Sequence, residues 1–278
     1  MSHRVLYETH CHTPLCKHAT GTPGEYAAAA RDASLKGVII TCHCPLPDGL
    51  ASTVRMRPNQ FTEYVEMVAA ARRAWEGIVD VRLGLESDYY PGVEPWLEEL
   101  HARANLHYIL GSIHYQLVFY RDLFFTGNLF DYQRLYFEHL ARAAESGLFD
   151  ALAHPDLIKN EDPQHWDFER LRPTIIEALD RIAATGVAME LNTSGLLKKL
   201  PEMNPGLSQL RLMAERGIPV VIGSDAHDPR RVGDHFHEAL DALELVGYDR
   251  VSWFLDRRRR EATIVEARAS LSPPPDPW

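Results

Sequence analysis

Seven short apolar stretches recur along the chain, and each of them ends in a cluster of polar residues. In chain order they are VLYETHCH, GVIITCH, VRLGLESDY, YILGSIH, ALAHPD, VAMELNTSG and PVVIGSDAH. The segments between them carry apolar residues at helical spacing, so strands alternate with helices. This alternation predicts a parallel sheet covered by helices, and a set of about seven strand–helix units predicts an α/β barrel of the TIM type.

Local signals support the helices and leave one alternative fold open. Thr22 has the residue type of an N-cap, Pro23 stands in the first turn, and Gly37 is a candidate helix stop. A doubly wound open sheet is the alternative, but no GxGxxG motif follows the first strand. The stretch DRVSWF is a candidate for a further strand. We expect residues 1–270 to form one domain and the Pro-rich residues 271–278 to form a tail.

Charge and hydropathy patterning exclude several classes of partner. The chain has 29 Lys and Arg against 39 Asp and Glu, a net charge of −10, which disfavours binding of long nucleic acids and anionic membranes. No apolar run approaches the roughly 20 residues that span a bilayer, and the N-terminus lacks the features of a secretory signal. We therefore expect a cytoplasmic protein whose four cysteines are thiols. The oligomeric state leaves no signature in the sequence.

The polar strand ends concentrate side chains that bind metal ions. In a parallel barrel the C-terminal ends of the strands meet at one face, which is where barrel enzymes carry their active sites. Seven of the 14 histidines and two carboxylates occupy these positions: His10, His12, His18, His43, His114, His154, His227, Glu86 and Asp225. Imidazole and carboxylate suit Zn²⁺, Mn²⁺ or Fe, and nine ligands are too many for one tetrahedral ion. The set predicts two or three divalent ions.

The cysteines lie in the same segments as the first histidines. Successive residues of a strand face opposite sides, so Cys11 points away from His10 and His12. We expect Cys11 and Cys44 to be buried as small apolar residues. Cys16 falls in a loop, and the role of Cys42 stays open.

Taken together, these motifs resemble the polymerase-and-histidinol-phosphatase (PHP) family of metal hydrolases. The matching motifs are HCHT, LCKHA, TCHCPLP, GLESDYYPG, GSIHY, AHPDL, NTSGL and GSDAH, in the order of the family. The opening HTPLC and the motif NTSGL are similar to the histidinol-phosphatase branch. The resemblance implies a distorted TIM-like (β/α)7 barrel with a trinuclear metal site at the C-terminal ends of the strands. It also implies hydrolysis of histidinol phosphate to histidinol and phosphate, a reaction of histidine biosynthesis.

The resemblance further implies how the ligands are shared among the ions. His10, His12, Glu86 and Asp225 hold a first ion, Glu86 bridges to a second held also by His114 and His154, and His18, His43 and His227 hold a third. The chain departs from the family in having Glu8 and Cys42 where aspartates are usual. At Cys42 this removes a charged group that would support a ligand or handle a proton. The branch also tends to carry a basic residue directly after NTSGL, whereas here Leu197 precedes Lys198 and Lys199.

Hydrolysis of a phosphate ester also requires groups that bind the phosphate. Arg55 and Arg57 are the leading candidates, because a guanidinium group binds phosphate in bidentate fashion; a pair of solvated loop charges is the alternative. The remaining candidates are Lys159 and Lys198 for the phosphate, and Asp225, His227 and Asp156 for catalysis. Asp156 is a candidate either to protonate the leaving group or to orient a ligand histidine.

Three other functions stay open on the sequence. The main alternative is another PHP-family phosphoesterase that acts on nucleotides or other small phosphate esters. A metal-dependent C–N hydrolase on a similar barrel would be expected to place a lysine at a strand end, and no predicted strand here ends in lysine. A non-catalytic or redox-sensing metalloprotein would use Cys42 and Cys44, and the complete set of metal-binding side chains makes it the least favoured.

Overall fold

Within residues 4–272, which the computed structural model describes, nine strands form one sheet whose strand order follows the chain. The strands are β1 (Tyr7–Glu8), β2 (Gly37–Ile40), β3 (Asp80–Asp88), β4 (Tyr108–Ser112), β5 (Ala151–Leu152), β6 (Ala188–Asn192), β7 (Val220–Gly223), β8 (Arg250–Leu255) and β9 (Arg258–Thr263). Neighbours from β1 to β8 pair in parallel, and β9 runs antiparallel to β8. The predicted parallel sheet is confirmed.

A helix follows each of the first seven strands, as the alternating pattern predicts. The helices are α1 (Pro23–Asp32), α2 (Phe61–Ala74), α3 (Glu94–Ala102), α4 (Val118–Phe124), α5 (Leu129–Glu145), α6 (Phe168–Thr185), α7 (Leu207–Glu215), α8 (Phe236–Val246) and α9 (Ile264–Ser270). Two helices, α4 and α5, follow β4. The candidate strand DRVSWF is β8, whereas β9 and α9 were not predicted.

The start of α1 was predicted and its end was not. The Thr22 hydroxyl accepts a hydrogen bond from the Glu25 N–H, and the Glu25 carboxylate accepts one from the Thr22 N–H, which forms a capping box. The prediction that Gly37 ends this helix is wrong, because α1 ends at Asp32 and Gly37 begins β2. A Cβ atom at Gly37 would lie 2.3 Å from the Asp80 carbonyl oxygen, so glycine is required by close strand packing.

Within the described residues no strand ladder closes the sheet into a barrel, and a single isolated bridge links its first and seventh units. β8 pairs with β7 and occupies part of the edge at which β1 would complete a barrel. The first and seventh units meet beyond their strands, where Cys11 and Ala226 form an isolated parallel bridge. The Ala226 N–H donates to the His10 carbonyl and the His12 N–H donates to the Ala226 carbonyl, both at 3.0 Å. The barrel is therefore distorted, as the resemblance implies.

Apolar residues fill both faces of the sheet below the strand ends. The larger cluster packs the helices onto the sheet and includes Tyr26, Val38 and Ile109. A smaller cluster uses the alternate strand positions, such as Tyr7 and Tyr108. The polar strand ends consequently lie over a layer of buried apolar side chains.

Within the described residues, no helix combines the length and the apolar character that crossing a membrane requires. Most of the predicted tail, residues 273–278, lies outside the part that the structure describes.

Candidate metal centre

Backbone pairing beyond the strands decides which polar side chains become neighbours. His43 follows β2, and a parallel bridge joins it to Glu86 of β3. The Cys44 N–H donates to the Glu86 carbonyl at 2.8 Å and holds the two segments together. The bridge between Cys11 and Ala226 in the same way brings the histidines that flank Cys11 beside Asp225. Side chains from distant parts of the chain therefore converge at the barrel mouth.

The carboxylate of Glu86 lies at the centre of this convergence and is fully buried. Its Oε2 atom lies 3.5 Å from His10 Nε2 and 2.6 Å from His43 Nδ1. Its Oε1 atom lies 3.1 Å from His154 Nε2 and 3.5 Å from His114 Nε2. The two oxygens thus face two different groups of histidines, which is the arrangement expected of a carboxylate that bridges two ions.

A second carboxylate completes the first group. Asp225 Oδ1 lies 3.1 Å from His12 Nε2 and 3.5 Å from His10 Nε2. The neighbouring His227 stacks on His12 with ring centroids 3.9 Å apart, and His18 lies 4.6 Å from His227 by the same measure. All nine predicted ligands are therefore brought into one cluster, and their role as ligands stays a prediction.

Unpaired buried atoms show that this cluster fits metal ions. Four buried ring nitrogens in it have no hydrogen-bond partner: His10 Nε2, His12 Nδ1, His154 Nδ1 and His227 Nε2. A buried polar atom without a partner costs about 1–3 kcal/mol, so four in one place call for a compensating cation. Imidazole and carboxylate form a donor set that suits zinc, manganese and iron.

Two ligand histidines are oriented from behind by carboxylates. His10 Nδ1 lies 2.7 Å from Glu190 Oε1, and His114 Nδ1 lies 2.7 Å from Asp88 Oδ1. Such partners fix the tautomer of a metal-binding histidine and leave Nε2 for the ion. Glu190 was missed by the sequence reasoning. Its signal was a carboxylate in the apolar strand AMELN, two residues before Asn192 and on the same face.

Electrostatics in the cluster favour ionised carboxylates and neutral outer histidines. Burial by itself would raise the pKa of Glu86, but the surrounding imidazole groups of His43, His114 and His10 outweigh burial and hold that pKa well below its usual value. Burial lowers the pKa of His43 to about 3 and that of His227 to about 4, so both rings are neutral near pH 7 and able to bind a metal.

The cluster opens into a cavity of about 680 Å³. Its lining includes His43, His114 and Asp225 of the cluster, and also residues 116–119, Asp122 and Lys198. A lining that is polar and histidine-rich in one part and partly apolar in the other describes a site for a small organic molecule with a charged end.

Comparison with known proteins agrees with this geometry. The PHP domain matches residues 8–194 of the chain. A probable histidinol-phosphatase from Deinococcus radiodurans is 40% identical over 257 residues, which cover 87% of this chain and 94% of that protein. The chain belongs to the PHP family.

Two more distant relatives of this PHP chain match it over nearly the whole of their own length. The histidinol-phosphatase from Bacillus subtilis is 23% identical, with 84% of this chain and 97% of that protein covered. The crystal structure of histidinol phosphate phosphatase from Lactococcus lactis, complexed with zinc, L-histidinol and phosphate, matches with a TM-score of 0.77 at 16% identity. That match covers 92% of this chain and 98% of the other, and it confirms the predicted fold.

The positions at which this PHP chain departs from the family pattern have structural roles. Glu8 is buried and accepts hydrogen bonds from the N–H groups of His10, Ser224 and Gly233, so it holds the first and last segments of the site together. The Cys42 sulfur accepts from the Thr13 hydroxyl at 3.1 Å and supports the loop after β1.

Arg55, which was predicted to bind the phosphate, is buried in an ion pair. Its side chain is 1% exposed and bonds Asp88 through both terminal nitrogens, and Asp88 also bonds His114. The guanidinium group is therefore engaged in supporting a ligand histidine, although it lies in the cavity wall. Arg57 is exposed and does not line the cavity, so the alternative interpretation as a solvated charge fits it.

Lys159 and Asp156 likewise have buried partners. Lys159 is fully buried, and its ammonium group bonds Asp156, Glu202 and the Met203 carbonyl at 2.8–2.9 Å. Asp156 also accepts from the Gly206 N–H at 2.8 Å and lines a separate cavity. Neither side chain is available for phosphate or for the leaving group. Together they fix the segment of residues 202–206.

We predict that Arg55→Ala lowers the free energy of unfolding, because it leaves Asp88 buried without its cation. Loss of one partner of a buried ion pair typically costs about 3–5 kcal/mol. Urea unfolding of both arginine variants measures this, and Arg57→Ala, the matched control, is expected to stay within about 0.5 kcal/mol of the parent protein. Unchanged stability of Arg55→Ala together with a raised KM would restore Arg55 as a phosphate-binding residue.

Proposed function

We propose that this chain is a metal-dependent phosphatase that hydrolyses histidinol phosphate to histidinol and phosphate. The observation that carries the proposal is the cluster around Glu86, which forms the base of a cavity large enough for such a substrate. The 40% identical relative named as a probable histidinol-phosphatase supports the choice of substrate, because it matches over 94% of its length.

The residues of the cluster would hold two or three divalent ions. His10, His12, Glu86 and Asp225 would form one site, and Glu86, His114 and His154 another. Divalent ions in such a site acidify water and neutralise charge on phosphoryl oxygens. The protein positions the metal-binding side chains in advance. Glu190 orients His10 and Asp88 orients His114, so that little rearrangement is needed when the substrate arrives.

Lys198 is the cation best situated for the phosphate. Its ammonium group lies 3.8 Å from Asp225 Oδ2 and lines the cavity beside the cluster, whereas Arg55 and Lys159 are committed to buried carboxylates. A flexible ammonium group at this place can contact a phosphoryl oxygen and stabilise the charge that develops during hydrolysis.

The cavity lining outside the histidine cluster suits the organic part of the substrate. Histidinol phosphate carries an ammonium group and an imidazole ring beyond its phosphate. Asp122 is the cavity-lining carboxylate that lies outside the histidine cluster, and Phe119 belongs to the same lining. We infer that Asp122 attracts the cationic end of the substrate and that the apolar side chains contact its ring.

The function itself is tested by a substrate panel. After loading with Mn²⁺, Zn²⁺ or Fe²⁺, the protein is expected to hydrolyse histidinol phosphate with a higher kcat/KM than glycerol phosphate, sugar phosphates or mononucleotides. Release of inorganic phosphate measures the rate. A mononucleotide or other ester that exceeds histidinol phosphate would favour the alternative phosphoesterase, and no turnover of any ester in a metal-loaded protein would exclude both.

Lys198→Ala is predicted to lower kcat/KM by about 10- to 100-fold, which corresponds to the ~1.5–3 kcal/mol of a hydrogen bond to a charged group. The neighbouring Lys199 is exposed and lies outside the cavity, so Lys199→Ala is the matched control and should retain the parent rate. Equal effects of the two substitutions would argue for a general effect of surface charge.

Asp122→Asn is predicted to raise the KM for histidinol phosphate by about 2- to 5-fold, the range expected for a solvent-exposed ion pair. The same variant should hydrolyse glycerol phosphate, which has no ammonium group, with an unchanged KM. Steady-state kinetics with both substrates separate the two effects. A KM that rises equally for both esters would show that Asp122 shapes the cavity without recognising the cation.

A further inference from the structure

Backbone carbonyl groups orient two histidines of the predicted third metal site, His18 and His227. His18 Nδ1 lies 2.7 Å from the Cys16 carbonyl, and His227 Nδ1 lies 3.0 Å from the Asp225 carbonyl. Each ring therefore donates its Nδ1–H, which leaves the Nε2 lone pair of the neutral ring for a metal. His227 Nε2 is buried and has no hydrogen-bond partner, as expected of an atom that faces a cation.

Cys16 brings a sulfur atom to the same two rings. Its Sγ atom and one ring nitrogen each of His18 and His227 lie within 4.8 Å of one another. Donor atoms around a tetrahedral zinc ion are separated by about 3.3–3.8 Å, given bonds of about 2.0–2.3 Å, so a small closing movement is sufficient. A short 3₁₀ turn, Pro14–Cys16, holds the thiol in this position, fully buried.

Two other candidate donors lie nearby. His43, which the resemblance assigns to the third ion, has its Nδ1 atom 2.6 Å from Glu86, and one of its ring nitrogens also lies within 4.8 Å of ring nitrogens of His12 and His227, so it can serve the same ion beside Cys16. The Cys42 sulfur also lies within 4.8 Å of Cys16 and His12, but it accepts hydrogen bonds from both the N–H and the hydroxyl of Thr13.

We propose that Cys16 is a metal ligand and that Cys16, His18 and His227 together hold the third ion. This inference depends on the metal binding proposed above, but not on the identity of the substrate. A thiolate is a soft ligand that favours zinc over manganese, whereas carboxylate and imidazole accept either. The third site is therefore selective for zinc, in contrast to the two sites that share Glu86.

Cobalt substitution tests the proposal by optical spectroscopy. When the purified protein is reconstituted with Co²⁺, the parent protein should show a near-ultraviolet sulfur-to-cobalt charge-transfer band. Cys16→Ser should lose this band and bind one ion fewer per chain. Cys42→Ser, the matched control, should keep both the band and the ion. Persistence of the band in Cys16→Ser, or its loss in Cys42→Ser alone, would overturn the assignment.

A measurement on the parent protein covers the case in which Cys16→Ser does not fold. X-ray absorption at the zinc edge of the zinc-loaded protein should show a sulfur scatterer at about 2.3 Å, and a purely nitrogen and oxygen shell would refute the proposal. A protein that hydrolyses histidinol phosphate but shows no sulfur ligation would lose only this inference. One with sulfur ligation but no phosphatase activity would lose only the proposed function.

Discussion

The fully buried carboxylate of Glu86 is the group on which the rest of the structure depends. An isolated buried carboxylate is strongly disfavoured unless opposite charges or hydrogen-bond donors surround it. Here the surrounding groups are His10, His43, His114 and His154, which come from four different strand–helix units. Each of those strand ends must therefore lie within a few ångströms of one residue of β3. This requirement brings the strand ends together although the first and seventh units share only one bridge among the described residues.

The charges around the cluster are arranged in chains that radiate from Glu86. Along one of them, His114 lies between Glu86 and Asp88, and Arg55 neutralises Asp88 from the outside. Along another, His10 lies between Glu86 and Glu190. Each histidine is thus held between two carboxylates, a position that fixes its ring and its tautomer. An arginine at the end of such a chain is engaged with a carboxylate that supports a predicted metal ligand.

The metal-binding face could be predicted from the sequence, because strand periodicity and strand-end position are local properties. The same reasoning did not find the partners Asp88 of Arg55 and Glu202 of Lys159, because they lie 33 and 43 residues away in the chain and are brought near only by the fold. It also gave no role to Cys16, because only the fold shows that this thiol lies beside His18 and His227. The family resemblance supplied the distorted barrel, which the unit count alone did not distinguish from a regular one.

The side chains that line the cavity differ in how firmly buried hydrogen bonds fix them, and this difference affects which substrate binds. The metal side is built from strand ends whose side chains are locked by buried hydrogen bonds. The substrate side comes from α4 and from the segment after β6, where Lys198 and Asp122 are partly exposed. The buried pair of Lys159 and Asp156 anchors residues 203–206, which close that segment. Substitutions on the substrate side can therefore alter the ester that binds without disturbing the cluster around Glu86. For this reason the chemistry of such a chain is more readily predicted than its substrate.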